Sequence, residues 1–191
     1  MVGVNIFEAG ENVNVKYIDS CTVIWFDLIS SSTGISLAGI VGSSSGYTIT
    51  NVRFISANTT FTSTRTTVGK IEGAGIVAGI VANSSNDTIE YASLQNFVSG
   101  EENNGVVSDF YTLSSGIDQV YGLVNGATST ISNSFVQVNI AVNNNTSTIY
   151  LTSNATETST YFLGKVQNYE GATINSNANS DFNIVYTDNA M

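Results

Sequence analysis

"AGIVGSSSGYTITNVRF" runs from Ala38 to Phe54, and "AGIVANSSNDTIEYASL" runs from Ala78 to Leu94, forty residues further on (78 − 38 = 40). In both, Gly, an aliphatic residue and Val precede a polar turn, and a Thr-Ile pair follows. The glycine recurs as Gly39, Gly79, Gly122 and Gly164, in "GIVG", "GIVA", "GLVN" and "GKVQ". The Thr-Ile pairs carry Ile49, Ile89, Ile131 and Ile174. The glycines advance by 40, 43 and 42 residues, and the isoleucines by 40, 42 and 43. Two series moving together at a fixed period are the mark of a repeat architecture.

Outward from these copies, the chain reads as one repetitive β domain over residues 1–191. A partial repeat covers 1–35, repeats follow over about 36–75, 76–118 and 119–160, and a partial repeat covers 161–191. "VNVKYIDS" (Val13–Ser20) aligns with "TNVRFISA" (Thr50–Ala57), which sets Lys16 on Arg53 and Tyr17 on Phe54. Alternation within a repeat predicts strands. "VQVNIAVN" places Val136, Val138, Ile140 and Val142 on one face and polar residues on the other. Ser-, Asn- and Gly-rich turns punctuate such segments. Three or four short strands per period fit a β-solenoid resembling a parallel β-helix; the alternative is a β-propeller with one blade per repeat. Asn51 and Asn133, each following a Thr-Ile pair and the next residue, are expected to form a corner ladder, with Tyr91 at the same place in the second copy.

Composition narrows the function. The chain has no Pro, no His and only 10% charged residues, yet 42% are hydrophobic, which points to a folded β domain and not a disordered one. A net charge of −10 argues against nucleic acid and against electrostatic docking on anionic lipid. No apolar run is long enough to span a membrane as a helix, and the opening residues do not read as a signal peptide. Cys21 is the single cysteine, set before an apolar run and expected to be a small buried hydrophobe.

"GIVG…YTITNVRF" and, more closely, "GLVNGATSTISNSF" (Gly122–Phe135) resemble the GLUG-type repeat, in which Gly-Leu-aliphatic-Gly precedes a Gly/Ser turn and Thr-Ile-Thr-Asn. The resemblance implies a β-helical rod in a secreted or surface protein of adhesin-like kind, extracellular or on the cell surface. It carries over no active site.

Catalytic chemistry lacks parts. Without His, neither a Ser-His-Asp set nor a His-based zinc site can be built, and no phosphate-binding glycine loop is present. Asp87 and Glu90 flank the second Thr-Ile pair, but Tyr47 and Thr50, then Ser129 and Ser132, stand at the equivalent places. Glu101, Glu102 and Asp109 read as a solvated acidic loop. No catalytic residue, metal ligand or cofactor is therefore expected. The expected role is structural or adhesive: copies of the chain, or adjoining parts of a longer one, associate end to end through unpaired strands into fibres or oligomers. Lys16, Arg53 and Arg65, rare cations in an acidic field, are candidate contact residues. The alternative from another class is a carbohydrate-binding or carbohydrate-cleaving β-helix (a polysaccharide lyase or glycoside hydrolase). That alternative needs paired carboxylates and an aromatic such as Tyr47, Tyr91 or Tyr121 in one groove.

Overall fold

The computed structural model describes residues 16–24, 28–58, 71–98, 113–115, 119–138, 140–142, 148–167, 173–175 and 185–186. Among them every regular element is a strand. The chain first lays down β1 (Lys16–Asp19), β2 (Thr22–Ile24), β3 (Leu28–Ser30), β4 (Leu37–Ala38) and β5 (Val41–Ser45). It returns over them with β6 (Tyr47–Thr50), β7 (Arg53–Asn58), β8 (Ile71–Gly73), β9 (Val77–Ala78) and β10 (Val81–Ser85). The next pass holds β11 (Thr88–Glu90), β12 (Ser93–Val98), β13 (Leu113–Ser115) and β14 (Gln119–Tyr121). Then come β15 (Thr130–Gln137), β16 (Ile140–Val142) and β17 (Thr148–Tyr150). Last are β18 (Thr156–Phe162), β19 (Lys165–Gln167), β20 (Thr173–Asn175) and β21 (Val185–Tyr186).

All of these pairings are parallel, each pass lying on the one before. The all-β expectation therefore holds for the described residues. Among them, too, no helix is long and apolar enough to cross a membrane.

Parallel register stacks like residues into columns. Ile18, Ile49, Ile89 and Ile131 stand in one. Val23, Phe54, Leu94, Val136 and Phe162 form a second, and Leu37, Val77, Val120 and Ile149 a third. Away from the first pass nearly every member is fully buried, so these columns are the core. Each such Ile, Leu or Phe contributes about 1.5–3 kcal/mol of transfer free energy. The intervening side chains face outward; β15, with burial alternating on either side of Asn133, shows the two faces in one strand.

The glycines mark where the backbone of one pass presses on the next. A Cβ on Gly39 would overlap the Gly79 carbonyl oxygen, one on Gly79 that of Gly122, and one on Gly122 that of Leu151. The amides bond along the same line, Gly79 to Tyr121 at 3.2 Å and Gly122 to Tyr150 at 2.9 Å. Gly164 does not join this column. It packs against the Val138 carbonyl at the corner between β18 and β19, and Leu151 occupies the place the period would give it. Ile174 likewise leaves its series: Thr173-Ile174 pairs with Thr148-Ile149, whereas Thr156-Glu157 pairs with Thr130-Ile131.

The register steps explain both departures. Thr88 to Thr130 is a step of 42 residues, but Thr130 to Thr156 is a step of 26. In sequence, residues 59–70 intervene between β7 and β8, and residues 99–112 between β12 and β13. Between β15 and β16 only Val138 and Asn139 intervene. The 40-residue period is a short pass plus an insertion, and it lapses with the insertion. The expected match of Lys16 with Arg53 is also corrected. Lys16 pairs with Tyr47 and Tyr17 with Thr48, because that register drops Ile18 onto Ile49.

A second column marks the bend between β1 and β2, between β6 and β7 and between β11 and β12, and recurs within β15 and β18. Ser20, Asn51, Tyr91, Asn133 and Ser159 are all left-handed, with φ of 56°, 53°, 54°, 50° and 51°. Asn tolerates this conformation and Tyr does not. Three outcomes follow from this column and from the glycines, all readable by urea denaturation. Tyr91→Asn raises stability by about 1 kcal/mol, since it relieves a left-handed bulky residue. Gly79→Ala lowers it by about 3 kcal/mol, as overpacking against backbone does. Gly42→Ala, where a Cβ meets nothing within 4 Å, stays within about 0.5 kcal/mol of the parent.

Candidate functional site

Two chemically distinct regions sit on this stack, a hydroxyl- and amide-lined face and the open edge of the first pass. The face begins with β5 and β10, "VGSSS" and "VANSS", paired so that Ser44 meets Ser84 and Ser43 meets Asn83. Ser44 and Ser84 turn inward and are buried, while Ser43, Ser45 and Asn83 are exposed. Asn86, left-handed at φ 54°, turns the chain so that Asp87 enters beneath this face.

The Asp87 side chain is 2% exposed. Its Oδ2 accepts from Ser44 Oγ at 2.6 Å and from Ser84 Oγ, and its Oδ1 accepts from the Tyr47 amide at 2.7 Å. Ser129 Oγ lies 2.8 Å from Ser84 Oγ and accepts the Asp87 amide at 3.1 Å. One carboxylate thus ties successive passes through three donors, which is how a buried charge is tolerated. Above it lies a shallow depression of about 320 Å³, lined by Ser43, Ser45, Asn83, Ser85, Asn125 and Asn154 among others. Asn154 Nδ2 donates to Asn125 Oδ1 at 3.1 Å across two passes, and its Oδ1 accepts the Gly126 amide. These groups offer hydrogen bonds but no carboxylate or ring to the opening.

Glu157 is the second inward carboxyl. It occupies the column position of Ile131, facing the interior. Thr152 Oγ1 and Ser153 Oγ both donate to its Oε1 at 2.6 Å, while Oε2 is shut from solvent without a hydrogen-bond partner. Thr152 and Ser153 in turn follow Leu123 and Val124 in their columns. Three neighbouring interior positions therefore change from apolar to polar in one step. Burial pushes the Glu157 carboxyl above its ordinary value, against the pull of the Ser153 and Thr152 hydroxyls.

The candidate residues of the sequence are distributed as follows. Ile49, Ile89 and Ile131 are core, and Gly39, Gly79 and Gly122 are close-approach positions. Asn51 and Asn133 share the left-handed corner; Asn51 Nδ2 donates to Asp19 Oδ1 at 3.1 Å, and with Ser20 it holds the Asp19 carboxyl below its usual range. Asp87 and Glu90 part company: Asp87 is buried, and Glu90 Oε1 accepts weakly from Ser132 at 3.5 Å. The three tyrosines do not share a groove. Tyr91 stands exposed at the corner, and the Tyr47 ring lies under Lys16 Nζ at 5.2 Å. Tyr121 is buried against Tyr150, ring centroids 4.6 Å apart, its phenol raised to about 12 by burial and then by Tyr150. Arg53 is exposed, and Arg65, Glu101, Glu102 and Asp109 lie outside the described residues. Among the described residues no cluster of three His, Cys, Asp or Glu could hold a metal ion.

The sequence reading missed the Asp87 network. Its one legible signal is that Ser44 and Ser84 occupy the same place in consecutive copies, three residues ahead of Tyr47 and Asp87.

The other region is the first pass. β1 to β5 each end their sheet, with no strand beyond them among the described residues. Tyr17, Ile24, Ile29 and Ile35 are exposed there. No family model, curated protein or solved structure matches the chain.

Two substitutions probe the carboxyls. Asp87→Ala strands three buried donors and lowers stability by about 3 kcal/mol or more, measured by denaturant titration. For Glu157 the folded state keeps its proton to higher pH than the unfolded chain. Stability is therefore present below the ordinary glutamate value and declines as pH rises through the raised one. Glu157→Gln removes that decline, so the difference between parent and variant urea midpoints grows from acid to neutral pH.

Proposed function

We propose that this chain is a structural repeat protein with β-solenoid architecture, working by assembly with copies of itself or with adjoining parts of a longer chain. The architecture is supported by the uniformly parallel pairing. Propeller blades are antiparallel, whereas a parallel pair needs a long crossover, which the remainder of each pass provides. An outer face left polar, with no helix over it among the described residues, fits a sheet whose buried side is closed by the rest of the same coil.

One observation carries the assembly reading: among the described residues the five strands of one pass have a strand on one side only, while Tyr17, Ile24, Ile29 and Ile35 stand exposed beside them. Strand edges flanked by exposed apolar side chains pair with another chain unless they are blunted. Lys16, the cation best placed to blunt it, donates to Ser45 O at 3.0 Å within its own pass. The GLUG-type resemblance adds an extracellular or cell-surface setting and an adhesin-like context to the same reading.

The test is sedimentation velocity over a concentration series, with electron microscopy of the same samples. The expected result is a sedimentation coefficient that rises with concentration and particles longer than one chain. A single monomeric species at every concentration discards the assembly reading.

A further inference from the structure

The sequence holds two Asn-Gly pairs: Asn104–Gly105, outside the described residues, and Asn125–Gly126, in the lining of the polar depression. Asn followed by Gly is a self-reactive pair. The glycine amide nitrogen gives up its proton and attacks the asparagine Cγ, and no Cβ on the glycine hinders the approach. The side-chain nitrogen takes up a proton and leaves as ammonia, which closes a cyclic imide. Water then opens that ring to aspartate or isoaspartate. An amide is exchanged for a carboxylate with no enzyme involved.

At Asn125–Gly126 the backbone polar groups of both residues are held. The Asn125 amide donates to Val81 O at 3.0 Å, and Asn125 O accepts the Ser84 amide at 2.8 Å. Gly126 N–H, which carries the proton that must be lost, donates to Asn154 Oδ1, and Asn154 Nδ2 donates back to Asn125 Oδ1 at 3.1 Å. Gly126 O accepts the Ser129 amide at 2.9 Å. Gly126 is buried, and a Cβ built on it would lie 2.7 Å from Ser84 Cβ, so the residue has little room to swing. Attack requires the peptide unit between Asn125 and Gly126 to turn its nitrogen onto Cγ. That turn breaks the Ser84 bond at one end of the unit and the Asn154 bond at the other. A backbone amide held in a hydrogen bond also gives up its proton only when the structure opens locally.

We propose that Asn125 is a latent deamidation site and that Asn154 is the positioning residue that keeps it shut. The other partners, Val81, Ser84 and Ser129, act through their backbones, whereas Asn154 supplies with one side chain both the acceptor for Gly126 N–H and the donor to Asn125 Oδ1. Asn154 lies 29 residues on, beside the bridge between Val124 and Ser153, so the clasp lasts as long as that pass stays docked. Conversion places a carboxylate in a depression whose lining is uncharged. The isoaspartate form also lengthens the backbone by a carbon where Ser84 bonds to Asn125 O. The site is the same in a single chain and in an assembly.

The intact chain is incubated in mildly alkaline buffer, folded and in urea. Its chymotryptic peptides are followed by mass spectrometry, with an isoaspartyl methyltransferase marking isoaspartate. In urea Asn125 converts alongside Asn104, and in the folded chain it converts at least about tenfold more slowly. In Asn154→Ala, whose fold is checked by circular dichroism, conversion at Asn125 in the folded state rises by about tenfold, the worth of one or two hydrogen bonds. Asn154→Ser, a smaller change, carries the same expectation where the alanine variant does not fold. Ile71→Val, which weakens the core under a different sheet, leaves conversion at Asn125 near the parent rate. Three results overturn the site: no conversion in urea, conversion in the folded parent as fast as in urea, or folded Asn154 variants as slow as the parent. An equal rise in Ile71→Val assigns the protection to folding at large and overturns the role given to Asn154.

Discussion

Parallel stacking gives a side chain no independence from the residues in register above and below it. Strands about 4.8 Å apart put identical columns in van der Waals contact, so each interior position is tested against its column and not against a distant partner. This is why Ile49, Ile89 and Ile131 repeat, and why Gly39, Gly79 and Gly122 must remain glycine where carbonyl oxygens stand in the Cβ position. A residue that departs from its column must bring its own partners. Asp87 does so with Ser44, Ser84 and the Tyr47 amide. Glu157 does so by half, with Thr152 and Ser153 on one oxygen and nothing on the other.

The corner between the first two strands of a pass obeys the same logic in backbone form. A left-handed residue interrupts the ladder there, and the amide after it needs an acceptor. Where Tyr91 turns the chain, Ser134 answers: its hydroxyl accepts the Ala92 amide at 3.0 Å and donates to Ser132 O at 2.7 Å. Ser134 and Thr160 are thus buried hydroxyls that complete the corner, and they are in register with each other. Polar residues inside this protein belong to turns and carboxyls. The columns between them stay apolar.

Legibility in the sequence follows from which of these constraints are local. The glycine and Thr-Ile series were readable through three copies because column identity repeats the residue type itself. The fourth copies, at Gly164 and Ile174, matched the spacing and missed the register. Spacing counts every residue in an inserted segment, whereas stacking counts only those in strands. Where no such segment intervenes, between β15 and β16, the step shrinks from 42 to 26 residues and sequence arithmetic loses its footing. Asn51 and Asn133 were legible as corner residues, since Asn is the side chain that suits positive φ. Tyr91 at the same corner shows that the position fixes the conformation even where the residue resists it. Asp87 was visible as an acidic residue beside a Thr-Ile pair, but its burial was not, because its donors come from elements up to 43 residues away.

The columns do not keep one residue type through every pass. A perfectly periodic stack would present the same columns at both ends and would extend head to tail without limit, the ordinary hazard of repeat proteins. Here Leu123, Val124 and Ile131 give way together to Thr152, Ser153 and Glu157. A scatter of single polar substitutions would each leave a stranded group, whereas this cluster satisfies most of its own hydrogen bonds. The first described pass keeps Ile18, Val23 and Leu28 only partly buried. The polar layer is not the last one, for Thr173–Asn175 stacks on Thr148–Tyr150 and Val185–Tyr186 on the strand that begins at Lys165.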